Sequence, residues 1–382
     1  MRGARTVLIL AAATLIAVGA VLLVERESST VEQADELVFP ALLEQVNSVT
    51  RVRVTGREGP FTLARDGEAW VVEDKERYAA DPDRMHKLLL GAAGMKRVEP
   101  KTSNPELYPK LWLEDPSGED AKSVRFVLED ASGAALADWV LGDRRPSKAD
   151  AGRTELYIRV AEDPRAWLVD GSVPGGPTVI DWLDRLVARI DRERLRAVEV
   201  MHADGAVVAV NKSLPADGDF VLRDIPADRE TDSQYRINDI GRFLEDLRFE
   251  DVARSSSLNF AGSADKRMEA TTFDGLRIRL ETVMRDDDAW VQLRAEVDEG
   301  LVEASGSDSA ASDSEAGSES TDSQSALRPL EAVRAEAESL NARWKGWAYE
   351  LPSFKRDYIA KRMDELTRAI EETDDAKDGG DT

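Results

Sequence analysis

The chain has 382 residues, no cysteine and two histidines, and its 75 acidic and 51 basic residues give a formal net charge of −24. This charge argues against binding to nucleic acid or to an anionic lipid surface, because both require a positively charged protein surface. The lack of cysteine excludes disulfides and a lipid-modified cysteine, while 42% hydrophobic residues are enough for two or three domain cores.

The chain begins with an apolar segment of membrane-spanning length. Thr6 to Val24 is an uncharged run of about 19 residues, which as one helix would cross a hydrocarbon core of ~30 Å. Arg2 and Arg5 precede the run, so the positive-inside rule places the N-terminus in the cytoplasm and the rest of the chain outside it. A cleaved signal peptide is the alternative, but the apolar run is long for one. We therefore predict a membrane anchor over residues 1–25.

Two segments about 150 residues apart show the same order of elements, which predicts tandem α+β modules over residues 38–170 and 181–302. Each begins with a short apolar helix and a strand in which apolar and charged residues alternate. An antiparallel meander follows, with an Asp-Gly turn at 66–67 in the first module and at 217–218 in the second. The predicted fold class is therefore α+β.

Each module is also expected to contain one amphipathic helix. Asp81 and Pro82 form an N-cap and first-residue pair in the first module, and Asn238 and Asp239 form the corresponding capping pair in the second. The apolar residues that follow have spacings of three and four, so they share one face and pack on the sheet. Further strands are predicted at 123–128, 139–141, 156–160, 167–169, 276–280 and 290–293.

Three other segments do not favour a helix or a strand. Residues 171–180 are rich in glycine and proline, which predicts a connecting loop between the modules. Residues 303–326 contain acidic residues and many serines but no basic or large apolar residue, which predicts a disordered, flexible acidic linker. Residues 373–382 are predicted to be a disordered tail.

Residues 327–372 are predicted to form a helical hairpin outside the modules. Apolar residues recur at three- and four-residue spacing on both sides of Pro352, which would separate the two helices. So small a unit cannot easily bury many large aromatic side chains. We therefore predict a partner-contact surface made of Trp344, Trp347, Tyr349, Phe354 and Tyr358. The alternative is that the hairpin packs on its own modules.

The sequence predicts no catalytic, cofactor-binding or metal-binding residues. His86 lies near the start of the first module's helix and His202 lies beside a turn, so each is expected to be an exposed or turn residue. The chain has no Gly-x-Ser-x-Gly, Walker or His-Glu-x-x-His motif. We expect a protein without enzymatic activity and without a cofactor; a hydrolase would require two close carboxyl groups with strongly shifted pKa values.

Besides the anchor, the chain contains the segments Asp66–Val72 (DGEAWVV), Tyr78–Pro82 (YAADP), Val98–Thr102 (VEPKT) and Gly346–Pro352 (GWAYELP). On these segments, and over most of residues 38–372, the chain resembles an uncharacterised bacterial domain family of single-anchor periplasmic proteins. Members of this family are often encoded beside gliding-motility-type ABC transport components, and the family has no established catalytic residues.

The resemblance implies an accessory or scaffold subunit of an ABC-type envelope transport system. Such a subunit would sit in the bacterial inner membrane, with its bulk in the periplasm, and contact integral-membrane or periplasmic subunits of the system. The alternative is a periplasmic receptor that binds a ligand in a cleft between its two modules.

Overall fold

The computed structural model of the chain describes residues 36–148, 150, 152–260, 264–301 and 327–370. They have a mixed α+β fold with mostly antiparallel sheets and few helices, as the sequence predicts. The predicted anchor, acidic linker and tail lie outside these residues. No helix in the described ranges is long and apolar enough to cross a membrane. The chain divides into two units, and the division falls after Asp184.

The first unit is built on a nine-stranded antiparallel sheet. Its elements, in chain order, are α1 (Pro40–Gln45), β1 (Val49–Gly56), β2 (Gly59–Asp66), β3 (Ala69–Val72), β4 (Tyr78–Ala79), α2 (Pro82–Ala93), β5 (Lys96–Pro100), β6 (Val124–Asp130), β7 (Ala135–Pro146), β8 (Thr154–Val160) and β9 (Ala166–Asp170). Short 3₁₀ helices occur at Val46–Ser48, Glu73–Lys75, Pro105–Leu111 and Val179–Trp182. The strand order in the sheet is β4-β3-β2-β1-β6-β7-β8-β9-β5.

Helix α2 begins where the sequence predicts. The Asp81 carboxylate accepts a hydrogen bond from the backbone N–H of Arg84 at 3.0 Å, and Pro82 is the first helical residue. At the other end, the backbone N–H of Gly94 donates to the carbonyl oxygen of Leu90 at 2.9 Å. The predicted N-cap is therefore confirmed.

The second unit is built on an eight-stranded antiparallel sheet and two small two-stranded sheets. Its elements are β10 (Leu186–Ala188), β11 (Leu195–His202), β12 (Val207–Asn211), β13 (Val221–Leu222), β14 (Arg229–Thr231), α3 (Gln234–Gly241), β15 (Leu247–Arg248), β16 (Val252–Arg254), β17 (Lys266–Thr272), β18 (Leu276–Arg285), β19 (Asp288–Val297), α4 (Leu330–Trp344), β20 (Trp347–Glu350), α5 (Ser353–Ala360), α6 (Met363–Leu366) and β21 (Thr367–Ala369). A 3₁₀ helix follows β16 at Ser255–Ser257.

The two large sheets share one strand order. The order β13-β12-β11-β17-β18-β19-β20-β16 repeats β3-β2-β1-β6-β7-β8-β9-β5, so β20 corresponds to β9. Each of these two strands carries a tryptophan under an arginine: Arg97 lies 5.3 Å from the Trp167 ring and Arg254 lies 3.7 Å from the Trp347 ring. The second copy of the repeat therefore includes a strand at Trp347–Glu350, beyond residue 302 where the predicted module ends.

This strand corrects the prediction of a separate helical hairpin over residues 327–372. β20 lies between β19 and β16, with Tyr349 opposite both Val291 and Val252, and β21 pairs with β14. Where β20 does not pair with β19, the Asn341 side chain of α4 bonds the backbone N–H and C=O of Ala295 at 2.9 and 2.8 Å. The apolar residues of 327–372 recur at three- and four-residue spacing, which indicates a helix. Such a pattern cannot reveal a four-residue strand whose pairing partners are distant in sequence.

Two further local predictions in the second unit are wrong. Helix α3 starts at Gln234, so Asn238 lies inside it, and its side chain accepts a hydrogen bond from the Phe220 backbone N–H at 3.0 Å. The short apolar helix predicted at the start of the second module, over 186–190, is instead strand β10, which pairs with β15. In both places tertiary contacts override the local pattern.

The predicted connecting loop, residues 171–180, lies within the first unit. Trp182 follows it and is fully buried, with its ring 5.8 Å from that of Phe126. The indole Nε1 donates to the Gly176 carbonyl oxygen at 2.9 Å. The loop is therefore fixed to the first core, and the boundary between the units falls later, after Asp184.

Candidate contact groove on the second sheet

Two of the five predicted partner-contact residues are buried in the core of the second unit. Trp344 is 2% exposed and Tyr349 is 0% exposed. Trp344 Nε1 donates to the Val187 carbonyl oxygen at 2.9 Å, and the Tyr349 ring stacks on Phe249 at 5.5 Å. With 2% and 0% of their surfaces exposed, these side chains cannot form the main contact surface for a partner while the unit is folded, so this part of the prediction is corrected.

The other three predicted residues retain accessible surface. Phe354 is 53% exposed on α5, and its ring meets the half-buried Tyr358 ring edge-on at 5.9 Å. Trp347 is half-buried beneath the Arg254 guanidinium and lines a groove. Trp347 is therefore the accessible member of the five predicted partner-contact residues that lines a concave surface.

The groove has a volume of about 700 Å³ and lies entirely in the second unit. Strands β11, β17, β18 and β19 contribute most of its lining, and the turn after α4 contributes Lys345 and Gly346. On β18 the alternate residues Ile278 and Leu280 are buried, whereas Arg279 between them is exposed. Every second side chain of a strand faces away from the core, so the charged residues of these strands form the floor of the groove.

Ion pairs connect the charged side chains across the strands. Glu269 lies 2.9 Å from Arg279 and 3.2 Å from Arg277. Glu296 of β19 lies 3.0 Å from Arg279 on β18 and 3.4 Å from Arg294 on its own strand. The hydrogen bond to Glu269, followed by the charge of Glu296, raises the pKa of Arg279 above its ordinary value. Cross-strand pairs of opposite charge stabilise a sheet modestly and order the side chains involved.

The groove is electrically balanced in a strongly acidic chain. Its lining includes four carboxylates and four cations, which are Glu199, Glu269, Glu281, Glu296, Arg267, Arg279, Arg294 and Lys345. The whole chain carries −24. A partner surface approaching the groove therefore meets no local excess of negative charge.

The chemistry of the groove suits recognition. The Glu281 carboxylate accepts a hydrogen bond from Gln292 Nε2 at 2.7 Å and lies 3.5 Å from Arg267. Carboxylates held by arginines in this way orient a partner through charge and hydrogen bonds. Within the described ranges, no three carboxylate or imidazole groups are placed to bind one metal ion.

His202 lies at the end of β11, away from the groove, and is buried. The Gly205 N–H donates to the His202 carbonyl oxygen at 2.9 Å, which confirms the predicted turn. The His202 Nε2 lies 3.2 Å from the Lys361 carbonyl oxygen. Burial, and then the positive charge of Arg362, lower the pKa of this imidazole. His202 therefore contributes to the docking of the C-terminal segment.

We expect His202 to make the second unit less stable in acid. Its folded-state pKa lies below the unfolded value of about 6.5, so below that pH the unfolded chain binds more protons and the free energy of unfolding falls. Urea unfolding at about pH 7.5 and about pH 5 should show a smaller loss for His202→Gln than for the unchanged chain. His86→Gln, which removes the exposed histidine of α2, is the matched control and should behave like the unchanged chain. Equal losses in all three would contradict the prediction.

A family model described as a domain of unknown function, DUF4340, matches residues 70–271, more than half of the chain. The chain belongs to the DUF4340 family. The DUF4340 match runs from β3 to β17, so it includes parts of both units. It confirms the predicted membership in an uncharacterised domain family, whereas the association with ABC transport components stays a prediction. No curated protein and no solved structure matches the chain.

The groove residues other than Trp344 and Trp347 are absent from the sequence-based predictions. Their signal is an alternation of arginine and glutamate at every second position, in R-x-E at 267–269, R-x-R-x-E at 277–281 and R-x-E at 294–296. Such alternation indicates paired charges on one face of neighbouring strands. It does not show that this face is concave and open.

Proposed function

We propose that this DUF4340 protein is a membrane-anchored periplasmic accessory subunit of an ABC-type envelope transport system. In this proposal the groove of the second unit contacts another protein subunit of that system. The supporting observation is the combination of a concave, charge-balanced, ordered sheet face with an accessible tryptophan at its edge.

The residue types of the groove favour a protein partner. Tryptophan, methionine and arginine are enriched at the centres of protein interfaces, and the groove contains Trp347, Met201 and several arginines. The arginines are already held by Glu269, Glu281 and Glu296. Side chains that are ordered before binding lose less conformational entropy when a partner arrives.

The charge pattern favours a specific partner. The chain has a net charge of −24 and therefore repels other acidic proteins. Such a protein would approach the neutral groove more easily than the rest of the surface. The alternating charges of the groove would pair with alternating opposite charges on a partner in one register only. Such pairing contributes to specificity more than to affinity.

The N-terminal segment supports the membrane part of the proposal. Thr6 to Val24 has the length and composition of a transmembrane helix, and the arginines before it favour a cytoplasmic N-terminus. An anchor of this kind would raise the effective concentration of the groove near membrane-embedded partners.

Site-specific photocrosslinking in native membranes tests the proposal. A photoreactive residue replaces Met201, which lines the groove and is 39% exposed, or replaces Leu214, which is 61% exposed in the same unit but outside the groove. We expect transporter subunits to be crosslinked from position 201 and not from position 214. Equal crosslinking from both positions, or crosslinks to unrelated proteins only, would contradict the proposal.

A ligand-binding role is the second candidate, because the groove volume of about 700 Å³ is within the usual range for small-molecule sites. Protection of position 201 from solvent labelling without any crosslinked protein would favour this receptor function over the accessory function.

A further inference from the structure

The first unit has a pocket whose charge is opposite to that of the chain. The pocket is open, has a volume of about 520 Å³ and lies beside the loop that precedes Trp182. Its lining includes the cations Arg84 of α2, Lys122 ahead of β6 and Arg144 of β7, and the single carboxylate Asp143. Three cations and one carboxylate give the pocket a formal charge of +2, whereas the whole chain has a net charge of −24.

The two arginines are held against one loop. Arg84 Nη2 donates to the Gly175 carbonyl oxygen, and Arg144 Nη2 donates to the Val173 carbonyl oxygen at 2.8 Å. The Arg84 guanidinium also lies 5.0 Å from the buried Trp182 ring. Both guanidiniums are therefore fixed in position before any ligand arrives.

The glycines of this loop allow the close approach of both arginines. A Cβ on Gly175 would lie 2.9 Å from Arg144 Nη2, and a Cβ on Gly176 would lie 2.6 Å from Arg84 Nη2. Gly176 also has a φ of +150°, which L side chains rarely adopt. A larger residue at either position would displace a guanidinium.

The positive charge of the pocket is not neutralised within the part of the chain that the structure describes. Neither Arg84 nor Arg144 forms an ion pair there, although many other arginines of the chain do, and Arg84 Nε is buried without a hydrogen-bond partner. Burial, and then the nearby charge of Arg84, lower the pKa of Arg144. Two like charges held together favour an anion that would pair with both.

The pocket also presents an aromatic surface. Trp112 forms part of the lining and is partly exposed, and the Lys122 ammonium lies 4.9 Å from its ring. An indole beside a cationic site suits a ligand that has an uncharged body attached to its anionic group. Guanidinium groups match the oxygens of phosphate, and a phosphate monoester carries about −1.5 to −2 at neutral pH, close to the pocket's +2.

We propose that this pocket binds a phosphate monoester or diester, with Arg84 and Arg144 contacting the phosphate and Trp112 contacting the attached group. This proposal is independent of the proposed function of the groove. Phosphate oxygens that could contact both arginines occur in soluble phosphate esters and in single phospholipid headgroups, and the test distinguishes these two sources.

Calorimetric titration of the full-length protein in neutral detergent micelles tests the proposal, with glycerol 3-phosphate as one probe and micelles containing phosphatidylglycerol as the other. Arg144→Gln should weaken binding by on the order of tenfold or more, because a charge-assisted hydrogen bond is lost. Arg65→Gln is the matched control, since among the described residues Arg65 also bonds only backbone carbonyls, those of Gly67 and Asn47, but lies outside the pocket. It should leave binding unchanged.

If the protein binds glycerol 3-phosphate and Arg144→Gln weakens that binding, the ligand is a soluble ester. If the protein binds only phosphatidylglycerol and Arg144→Gln weakens that binding, the ligand is a lipid headgroup. Lys122→Gln is a second variant at an exposed position that should fold normally and also weaken binding. No binding of either probe, or equal binding by the unchanged chain and both pocket variants, would overturn the proposal.

Discussion

A chain that ends at residue 326 is expected to lose the folded second unit and to keep the first. The deleted part contains β20, which pairs with both β19 and β16, and the buried residues Trp344 and Tyr349. Removing one large buried aromatic side chain typically costs about 3–5 kcal/mol, so these two alone approach the whole stability of an ordinary domain, about 5–15 kcal/mol. The first unit has its own sheet and core and does not need these residues.

Hydrogen–deuterium exchange measured by mass spectrometry separates the two outcomes. In the truncated chain, peptides from β17, β18 and β19 should exchange rapidly, while peptides from β1, β6 and β7 should stay protected. Retained protection in the second unit would mean that the C-terminal segment is peripheral, as the sequence pattern suggests.

A pair of point substitutions tests the same conclusion without truncation. Tyr349→Ala removes a fully buried ring and should destabilise the second unit by about 3–5 kcal/mol. Phe354→Ala, only five residues later, removes a ring that is half in solvent and should have a much smaller effect. Experiments on partner binding therefore require substitutions at exposed positions, because deletion of residues 327–372 would remove the fold together with any contact.

Arg194→Ala is expected to destabilise the second unit by about 3–5 kcal/mol, the usual cost of removing one partner from a buried ionic network. Arg194 is buried, and its guanidinium bonds Asp274 at 3.0 and 3.3 Å and Glu336 at 3.0 and 2.8 Å. Asp274 follows β17 and Glu336 lies on α4, so this one side chain joins the C-terminal helix to the sheet. Alanine would leave the Asp274 carboxylate buried without its counterion.

Urea unfolding of the full-length protein measures this effect. Arg334→Ala is the matched control, because Arg334 also lies on α4 and also pairs with a glutamate, Glu299 at 2.6 Å, but both side chains are exposed. Exposed pairs are screened by water and salt, so this variant should unfold nearly as the unchanged chain does. Similar midpoints for the two variants would show that the Arg194 network does not hold α4 in place.

The elements that the sequence predicts well depend on contacts between near neighbours in the chain. Asp81 caps α2 because its carboxylate reaches an N–H three residues away. The Asp-Gly sequence at 66–67 forms the turn between β2 and β3, where Gly67 has a φ of +63° that glycine adopts readily. The repeated order of strands and helix was likewise readable, because it recurs in the sequence itself.

The elements that the sequence does not predict depend on distant partners. Trp347–Glu350 is too short to show a period, and about 50 residues separate it from β19, its neighbour in the sheet. The corresponding strands of the first unit, β8 and β9, are joined by a short loop, so the second copy carries a long insertion at this point. That insertion conceals the last strand of the repeat.

The two candidate sites also combine local patterns that the sequence shows with contacts between distant residues that it does not show. The alternating arginines and glutamates of the groove are visible in the sequence, yet only the order of strands brings β11, β17, β18 and β19 side by side. Arg84 and Arg144 are 60 residues apart and meet because both reach the loop around Gly175. No local pattern relates them.

The sequence by itself determined the family, the α+β class, the repeat, the start of α2 and the turn at 66–67, because these follow from composition and from interactions over a few residues. Only the tertiary structure decided that the C-terminal segment belongs to the second sheet, that Trp344 and Tyr349 are core residues, and that the groove of the second unit and the positively charged pocket of the first unit exist. Those features arise from pairing and burial between residues far apart in the chain, whose free energy is realised only when the chain is folded.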